Sequence, residues 1–580
     1  MLISCRICFA IVLLFICGHM FAEDAISTGG SLSTDSAWQA RADDWLDNEF
    51  QPSTLSRKQQ LQELRWFSQA AKPFQGMTIR VVSERIDTHW YESNVLVKAF
   101  HDLTGIRVIH EVTGEDDVIK KLQSQIKTQV NLYDAYVNDS DLIGFHFRSG
   151  EAIKLDQFME GDGKYVTLPS LDLDDFIGLK FTTGPDGHLY QLPDQQFANL
   201  YWYRADWFER PDLRQRFRTR YGYELDVPQN WAAYEDIAEF FTVHVQELDG
   251  QRVWGHMDYG KADPSLGWRI SDAWLSLGGT GDAGLPNGHP VDEWGIRVEG
   301  CRPVGASVAR GGALDSPAAV YAVEKYVDWL LKYAPPEARA MNFTEAGGWL
   351  VKGNIAQQIW WYSAFTAALT QPKTAIMNPD DTPKWRMAPS PKGAYWTEGM
   401  KLGYQDTGSW TFLKSTPLKR IKAAWLYAQF VVSKTVSLKK TLVGLTPVRK
   451  SDVDSDALTQ RAPYLGGLVE FYRSRGRDVW TPTGTNVPDY TQLSNFWWQF
   501  VGRAVRNNVE VAVAMEEMAV AFDQTLEDIA RQSPGPCAPK LNAKQTRRYW
   551  LEQPGAPKAA HGTNVKPKTL PYLEAIRVWK

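Results

Sequence analysis

The stretch that decides the fold is residues 408–451, GSWTFLKSTPLKRIKAAWLYAQFVVSKTVSLKKTLVGLTPVRKS. It joins a short apolar strand, two amphipathic helices and a closing turn in one unbroken order. We expect Ser433 to cap the second helix, Gly444 to take the left-handed position at its end, and Pro447 to prevent its continuation. The first helix carries an apolar stripe that predicts burial of one side against a sheet, formed by Ile421, Ala424, Trp425, Ala428, Val431 and Val432.

Length and charge limit the classes of protein to consider. A chain of 580 residues exceeds what one hydrophobic core usually organises, so we expect two lobes of roughly 200 residues with appendages. The 63 Lys and Arg residues nearly balance the 68 Asp and Glu residues, and no long basic run occurs. Neither nucleic acid nor an anionic membrane is therefore an expected partner.

The first residues have the pattern of a secretory signal. Arg6 precedes an apolar run over residues 7–17, and the small Ala22 follows, which predicts a cleavable signal peptide over residues 1–22. The run is too short to span a bilayer. Lipid attachment at Cys17 is the alternative, but Phe15 and Ile16 stand where a small residue is expected. We therefore predict an exported, periplasmic protein.

Export changes the interpretation of the five cysteines. Three of them, Cys5, Cys8 and Cys17, leave with the signal peptide, so that only Cys301 and Cys537 remain. A single pair in an oxidising compartment favours one disulfide, with two separately buried thiols as the alternative.

Strands and helices alternate in the first part of the chain. After a polar, helix-prone extension over residues 23–75, strands are predicted over residues 78–83, 106–112 and 133–137, with helices between them. This alternation predicts an α/β lobe with a largely parallel sheet. Ligands of such sheets bind beyond the carboxyl ends of the strands, which are here the polar loops 84–89 and 138–141. Asp139 and Asp141 could equally cap a helix that begins near Leu142.

The rest of the chain is less regular. The aromatic strand 199–203 indicates a first crossing between lobes, and the Gly- and Pro-rich stretch 250–316 is predicted as a loop-rich insert. Helices are predicted over residues 318–333, 354–369 and 509–529, before a Pro- and Lys-rich tail that starts at residue 533.

The chain contains 24 Trp and 23 Tyr residues, and several stand beside polar residues. Aromatic faces suit the C–H-rich faces of sugars and polyols, although most of these rings must belong to the core. No nucleophile elbow, His-Glu-x-x-His helix or Cys/His cluster is present, so we expect no catalytic residue, metal or cofactor. A glycoside hydrolase is the enzyme alternative, with paired carboxyl groups from Glu84, Asp139 or Asp194. An exported adhesin or scaffold is a third possibility, disfavoured by the absence of repeats.

The order of several segments resembles the family-1 extracellular solute-binding proteins of ABC importers, the group that includes maltose-binding protein. Each segment is degenerate alone, but together they keep the family order over about residues 76–530. The segments are residues 99–108, AFHDLTGIRV; residues 133–150, ending in Arg148-Ser149-Gly150; residues 190–208; residues 353–358, GNIAQQ, leading to Trp361-Tyr362; and the opening stretch with its Leu445-Thr446-Pro447-Val448-Arg449 end.

The resemblance implies a type II periplasmic-binding-protein fold of two α/β lobes, each with a mixed, mainly parallel sheet, which close on a solute. It divides the chain into an extension (23–75), lobe 1 (76–195), lobe 2 with its insert (196–407), a crossing that returns to lobe 1 (408–452), lobe 2 again (453–532) and a tail (533–580). It also implies a set of ligand-binding residues, namely Glu84, His89, Asn138, Asp139, Asp141, Asp194, Gln195, Trp361, Tyr362, Ser409 and Trp410.

The extension, the insert and the tail have no counterpart in the smaller members of the family. They resemble the long proteobacterial branch associated with uptake of glycerol or related polyols. The resemblance therefore implies a monomer that carries a small polyol or sugar, with glycerol favoured, to an ABC importer permease in the inner membrane.

Overall fold

The computed structural model describes residues 30–281, 291–292, 294–400, 405–474, 484–532, 535, 537–553 and 559–579. The predicted signal peptide, residues 1–22, lies outside the described residues. No helix within these ranges combines the length and the apolar character needed to cross a bilayer.

Short strands and many helices make up the chain. The strands are β1 Thr78–Glu84, β2 Arg107–Thr113, β3 Ala135–Asn138, β4 Leu192–Pro193, β5 Phe197–Tyr203, β6 Val227–Pro228, β7 Glu247–Leu248, β8 Gln251–Arg252, β9 Arg297–Glu299, β10 Arg302–Gly305, β11 Gln357–Trp361, β12 Arg386–Ala388, β13 Gln405–Asp406, β14 Ser409–Thr411 and β15 Thr569–Leu570. The helices are α1 Gly30–Asn48, α2 Arg57–Ala70, α3 Asp87–Tyr91, α4 Val97–Thr104, α5 Glu115–Thr128, α6 Ile143–Ser149, α7 Leu155–Glu160, α8 Ala205–Phe208, α9 Pro211–Tyr221, α10 Trp231–Glu239, α11 Pro264–Trp268, α12 Leu275–Gly278, α13 Pro317–Lys332, α14 Phe343–Gly347, α15 Tyr362–Leu369, α16 Leu418–Val431, α17 Ser437–Gly444, α18 Lys450–Val453, α19 Asp456–Arg461, α20 Leu468–Arg473, α21 Tyr490–Val505, α22 Val511–Gln532, α23 Arg547–Glu552, α24 Gly562–Val565 and α25 Tyr572–Ala575.

The first lobe is built on a five-stranded sheet with the order β2-β1-β3-β14-β4. Strands β1, β2 and β3 run parallel, whereas β14 is antiparallel to both β3 and β4. The three parallel strands therefore end at one edge of the sheet, and the residues that follow them lie close together. This edge forms one wall of the site described below.

The second lobe is built on β5, which pairs with β11, β12 and β13. All these pairings are antiparallel, unlike the mainly parallel sheet expected for each lobe. The chain passes from β4 of the first sheet to β5 of the second through residues 194–196, and it returns from β13 to β14 through residues 407–408. The two passages lie side by side, since the amides of Asp194 and Gln195 both donate to the Gly408 carbonyl, at 2.9 and 3.1 Å.

The stretch 408–451 packs on lobe 1. Helix α16 is buried almost all round, rather than on the one side that its stripe predicted, because the N-terminal helices cover its outer face. The Phe430 ring lies 6.1 Å from Phe50, which follows α1, and 5.5 Å from Phe67 of α2.

The end of this stretch differs in detail from the sequence expectation. Helix α17 starts at Ser437, with Val436 and not Ser433 at the N-cap, and Leu445 rather than Gly444 takes the left-handed conformation, with φ 56°. Gly444 is needed for another reason, since an added Cβ would lie 2.0 Å from the Thr88 hydroxyl.

Residues 354–369 do not form the single helix predicted from their apolar pattern. Strand β11 fills residues 357–361 and helix α15 starts only at Tyr362. The run Gln357–Trp361 is buried on both faces, and periodicity cannot distinguish such a strand from a buried helix.

The end of the described chain belongs to lobe 2. Strand β15 pairs with β6, and the Trp579 ring packs 5.5 Å from that of Phe471. Cys301 and Cys537 are joined by a disulfide, with an S–S distance of 2.04 Å, so that the alternative of two separate thiols does not hold.

The buried carboxyl group of Asp452, in helix α18, leads to a prediction about the pH dependence of stability. Burial raises the pKa of Asp452 to about 7, although Ser437 and Arg449 favour the charged form. A carboxyl group whose pKa is higher in the folded state stabilises the fold at low pH and loses that contribution as the pH rises toward 7. In the wild type, this loss should lower the free energy of unfolding by about 2 kcal/mol between pH 5 and pH 6.5. Asp452→Asn should abolish this part of the pH dependence, because the Asn side chain does not titrate.

Urea unfolding of lobe 1 at both pH values measures this effect. Asp454→Asn is the matched control, because the Asp454 side chain is 70% exposed. Equal pH profiles for Asp452→Asn and the wild type would contradict the prediction.

Candidate functional site

A cavity lies between the two sheets and encloses about 440 Å³ of empty space, part of it open to solvent. Carboxylates and aromatic rings dominate its lining. The described lining residues are Glu84, Ile86, Glu115, Asp139, Asp141, Phe197, Trp268, Phe343, Trp361 and Asp406.

Lobe 1 contributes most of the acidic wall. Glu84 is the last residue of β1, Glu115 lies two residues beyond β2, and Asp139 directly follows β3. Because these three strands are adjacent and parallel, one carboxylate from each arrives at the same sheet edge. Asp141 follows two residues after Asp139 and lines the same cavity.

Lobe 2 contributes the aromatic wall, formed by Phe197, Trp268, Phe343 and Trp361. A buried ion pair supports this wall. Arg269 donates to Asp258 through Nε at 3.0 Å and Nη2 at 2.7 Å, and its guanidinium lies 5.2 Å from the centre of the Trp361 ring. The ring also meets Phe343 edge-on at 5.5 Å, so that Trp361 is held from two sides.

The fifth carboxylate, Asp406, stands where the second passage leaves lobe 2. Its Oδ1 atom accepts hydrogen bonds from the Ser140 amide at 2.9 Å and from the Thr407 amide at 2.6 Å. Asp406 therefore ties the loop after β3 to strand β13.

The carboxylates in this cavity influence one another. Burial and then neighbouring carboxylates raise the pKa of Glu115, Asp139 and Asp141 well above the usual range. Burial also raises the pKa of Glu84, while His89 and the hydrogen bond from Gln195 partly offset the effect. The charged neighbours that most influence Glu115 and Asp139 are all carboxylates.

A buried network of two cationic and two acidic side chains lies behind the acidic wall. Lys440 Nζ donates to Glu92 at 2.8 Å and to Asp194 at 2.7 Å, and His89 Nε2 lies 3.4 Å from Asp194. The Trp410 indole donates to Asp194 at 2.9 Å. Burial alone would raise the pKa of Asp194, but Lys440 and His89 hold it well below its usual range. Burial and Asp194 raise the pKa of Glu92 to about 7.

The structure brings four of the eleven predicted ligand residues to the cavity, namely Glu84, Asp139, Asp141 and Trp361. Their contact with a ligand stays a prediction. Three others, His89, Asp194 and Trp410, belong to the network behind the wall. Gln195 supports the wall from behind, since its Nε2 donates to Glu84 at 2.7 Å.

The remaining three predicted residues are buried away from the cavity lining. Asn138 donates to Thr411 at 2.9 Å and accepts from Gln191 at 2.8 Å. The Tyr362 hydroxyl donates to Gln358 at 3.0 Å, and the Ser409 hydroxyl donates to the Thr407 carbonyl at 2.9 Å.

Six lining residues were not named as ligand residues from the sequence, although one of them, Ile86, lies in the predicted loop 84–89: Ile86, Glu115, Phe197, Trp268, Phe343 and Asp406. A signal existed for Glu115, because it follows the second predicted strand just as Asp139 follows the third. No comparable signal marks Trp268 or Phe343, which come from the irregular parts of lobe 2.

The two lobes touch at the edge of the cavity. Arg148 of α6 donates through Nη1 to the Thr485 carbonyl at 2.9 Å and through Nη2 to the Cys301 carbonyl at 3.0 Å, both in lobe 2. Gly144, on the same helix, lies so close to the facing backbone that an added Cβ would be 2.2 Å from the Gly484 carbonyl oxygen. The two lobes are therefore in direct contact beside the cavity, an arrangement called the closed form below.

Two α/β lobes joined by adjacent passages, with a cavity between them, define the type II class of periplasmic binding proteins. The sequence also matches the family model described as bacterial extracellular solute-binding protein over residues 95–464. This chain belongs to that family, which confirms the predicted resemblance and the two-lobed fold. No curated protein sequence matches the chain.

Solved structures with the same fold share little sequence with this chain. An ABC transporter solute-binding protein from Agrobacterium radiobacter K84, in complex with ribitol, is 19% identical with a TM-score of 0.60, over 78% of this chain and 100% of that chain. Maltose-bound MalE3 of T. maritima is 17% identical with a TM-score of 0.57, over 78% and 100%. A solute-binding protein from Agrobacterium vitis S4 with bound D-mannitol is 17% identical with a TM-score of 0.55, over 79% and 100%.

Proposed function

We propose that this protein is the substrate-binding component of an ABC importer and captures a small neutral polyol or sugar, with glycerol favoured. The observation that carries the proposal is the cavity between the lobes, with oxygen acceptors on one wall and aromatic faces on the other. Family membership and the ribitol and mannitol complexes of proteins with the same fold support it.

The size of the cavity favours a small ligand. The space between the walls totals about 440 Å³, part of it open to solvent, and the enclosed part is smaller still. A three-carbon polyol with three hydroxyl groups suits this space better than a disaccharide does. The large rings of Trp268, Phe343 and Trp361 fill the rest of the cleft.

The chemistry of the two walls suits hydroxyl groups on a carbon chain. Carboxylates accept hydrogen bonds from hydroxyl groups, and a protonated carboxyl group can donate one in return. The raised pKa values of Asp139 and Asp141 favour such mixed protonation. Aromatic faces cover the C–H groups between the hydroxyls and exclude water.

In this proposal the function is a population shift. A ligand that touches both walls stabilises the closed form by its differential affinity for that form. The closed form would then be presented to the permease in the inner membrane. Lobe 1 would comprise residues 76–195 and 408–452 and lobe 2 residues 196–407 and 453–532, in a periplasmic monomer freed from its signal peptide.

Truncation of the aromatic wall should weaken binding. Trp361→Ala removes the ring that Arg269 and Phe343 hold against the cavity, so affinity should fall by about 1 to 3 kcal/mol. Titration calorimetry with glycerol measures this loss. Trp349→Ala is the matched control, because Trp349 lies in the same lobe but does not line the cavity. An unchanged affinity in a folded Trp361→Ala protein would assign Trp361 to the core alone.

A thermal-shift screen over polyols, sugars and amino acids tests the proposed function itself. We expect polyols to raise the melting temperature and no product to form from the best hit. Tight binding of an oligosaccharide without any response to polyols would reject the glycerol assignment. Hydrolysis of a glycoside would favour the enzyme alternative.

A further inference from the structure

The acidic wall holds more negative charge than a neutral ligand can balance. Five carboxylates line the cavity, and no Lys, Arg or His side chain is among its described lining residues. The buried cationic groups beside the two walls already have acidic partners, since His89 and Lys440 are matched by Glu92 and Asp194 and Arg269 by Asp258. Charge on the wall can therefore be relieved in two ways, by protonation or by a cation in the cavity.

The geometry of three of these groups suits a metal ion. Glu84, Glu115 and Asp139 each offer a carboxylate oxygen, and the three oxygens all lie within 4.8 Å of one another. Two oxygens bound to the same Ca²⁺, at 2.3–2.6 Å each, can be up to about 5 Å apart. The three ligands come from the ends of three adjacent strands, so the sheet fixes their spacing.

A second observation points into the same cavity. Asp141 lines it and is only 2% exposed, yet its buried Oδ1 atom accepts no hydrogen bond from any described residue. Hydrogen bonds with the Tyr490 side chain and the Leu142 backbone favour the charged form of Asp141, and its Oδ1 atom has room for a further donor. A buried acceptor without a donor is costly unless a ligand meets it.

We infer that Glu84, Glu115 and Asp139 bind a divalent cation of the calcium type, whose remaining coordination positions are filled by hydroxyl groups of the polyol. The inference rests on the proposed function for the polyol, but not for the cation. The sequence alone predicted that the protein binds no metal, and this inference differs from that prediction. The all-oxygen ligand set favours Ca²⁺ over Zn²⁺, and the incomplete protein shell leaves room for hydroxyl ligands.

Coordination would explain why an acidic cavity can take a neutral ligand. Ca²⁺ accepts six to eight oxygen ligands, and neighbouring hydroxyl groups of a polyol supply two from one molecule. The cation would cancel most of the charge of the wall, while the aromatic rings of lobe 2 cover the carbon chain. Binding of either partner should then strengthen binding of the other, because such coupling is reciprocal.

Terbium luminescence tests the cation site, because Trp268 and Trp361 line the cavity and can sensitise a bound ion. In chelator-treated full-length protein we expect TbCl₃ to give Trp-sensitised emission that CaCl₂ displaces. Glu115→Gln should weaken Tb³⁺ binding at least tenfold, given that even outer-shell partners of metal ligands change affinity by about 10–100-fold. Asp116→Asn is the matched control, with the same charge change on the next residue of α5, and it should change affinity less than about twofold. Asp139→Asn repeats the test if Glu115→Gln does not fold.

Calorimetry with glycerol, in saturating CaCl₂ and in EDTA, separates the inference from the proposed function. We expect at least tenfold tighter glycerol binding with Ca²⁺. Equal affinity in both buffers, absent Tb³⁺ emission, or emission unaffected by Glu115→Gln and Asp139→Asn overturns the inference and leaves the proposed function intact. Ca²⁺ binding without any polyol response supports the cation site and rejects the polyol function. Saturable binding of 1,4-diaminobutane to chelator-treated protein overturns the inference, because the ligand would then itself be the cation.

Discussion

Gly144→Ala should leave both lobes folded while weakening ligand binding about a hundredfold. Its added Cβ would lie 2.2 Å from the Gly484 carbonyl oxygen and 2.7 Å from that of Val487, both on the facing lobe. Overlap with backbone cannot be relieved by a rotamer change, so the closed form should lose about 3 kcal/mol. The open form should not suffer, because Ala is the better helix former in α6. Calorimetry measures the affinity, and small-angle scattering measures the population of the open form.

Gly348→Ala is the control for this experiment, because its added Cβ meets no atom within 4 Å and its φ of −72° suits alanine. Its affinity should match that of the wild type. Wild-type affinity in Gly144→Ala would mean that the bound form is less closed than this structure.

Lys440→Met should destabilise lobe 1 by about 3 to 5 kcal/mol at pH 8, because it leaves the buried Glu92 without its ion-pair partner and Asp194 with His89 alone. Lys440 is 1% exposed and bonds both Glu92 and Asp194, which belong to different parts of the chain. The loss should shrink toward pH 6. Without the ammonium group, the pKa of Glu92, already about 7, rises further, and the carboxyl group then takes up a proton.

Urea unfolding at the two pH values measures this loss. Lys439→Met is the matched control, since Lys439 is partly exposed and lies 3.7 Å from Glu49, a surface pair worth less than about 1 kcal/mol. A loss of similar size in both variants would show that the buried network contributes no more than an ordinary surface pair.

The parts of the fold that repeat a simple rule could be predicted from the sequence. Strands β1, β2 and β3 appear within two residues of their predicted bounds, because β-branched runs and Gly or polar residues mark them clearly. Residues 357–361 could not be assigned correctly. They are buried on both faces, so their side chains show no alternation.

In the candidate site, too, only the residues marked by a simple rule could be predicted from the sequence. Asp139 and Asp141 could be found because a strand end marks them, and Glu115 could have been found by the same rule. The aromatic wall depends on long-range packing, in which Arg269 and Phe343 fix the Trp361 ring from distant parts of the chain. Asn138 was predicted as a ligand residue from the family resemblance, but it does not line the cavity, because its side chain turns inward to Thr411 and Gln191.

The separation of the walls has a consequence for how selectivity can change. Four of the five acidic residues are on lobe 1, whereas all four aromatic rings are on lobe 2. If the cavity binds the ligand as proposed, each lobe presents half of the recognition surface, and one half decides which polar atoms are accepted while the other decides how much carbon skeleton fits. Substitutions on one half should therefore act chiefly on the property that this half decides. A binding protein built this way can acquire a longer or shorter ligand by changing rings alone.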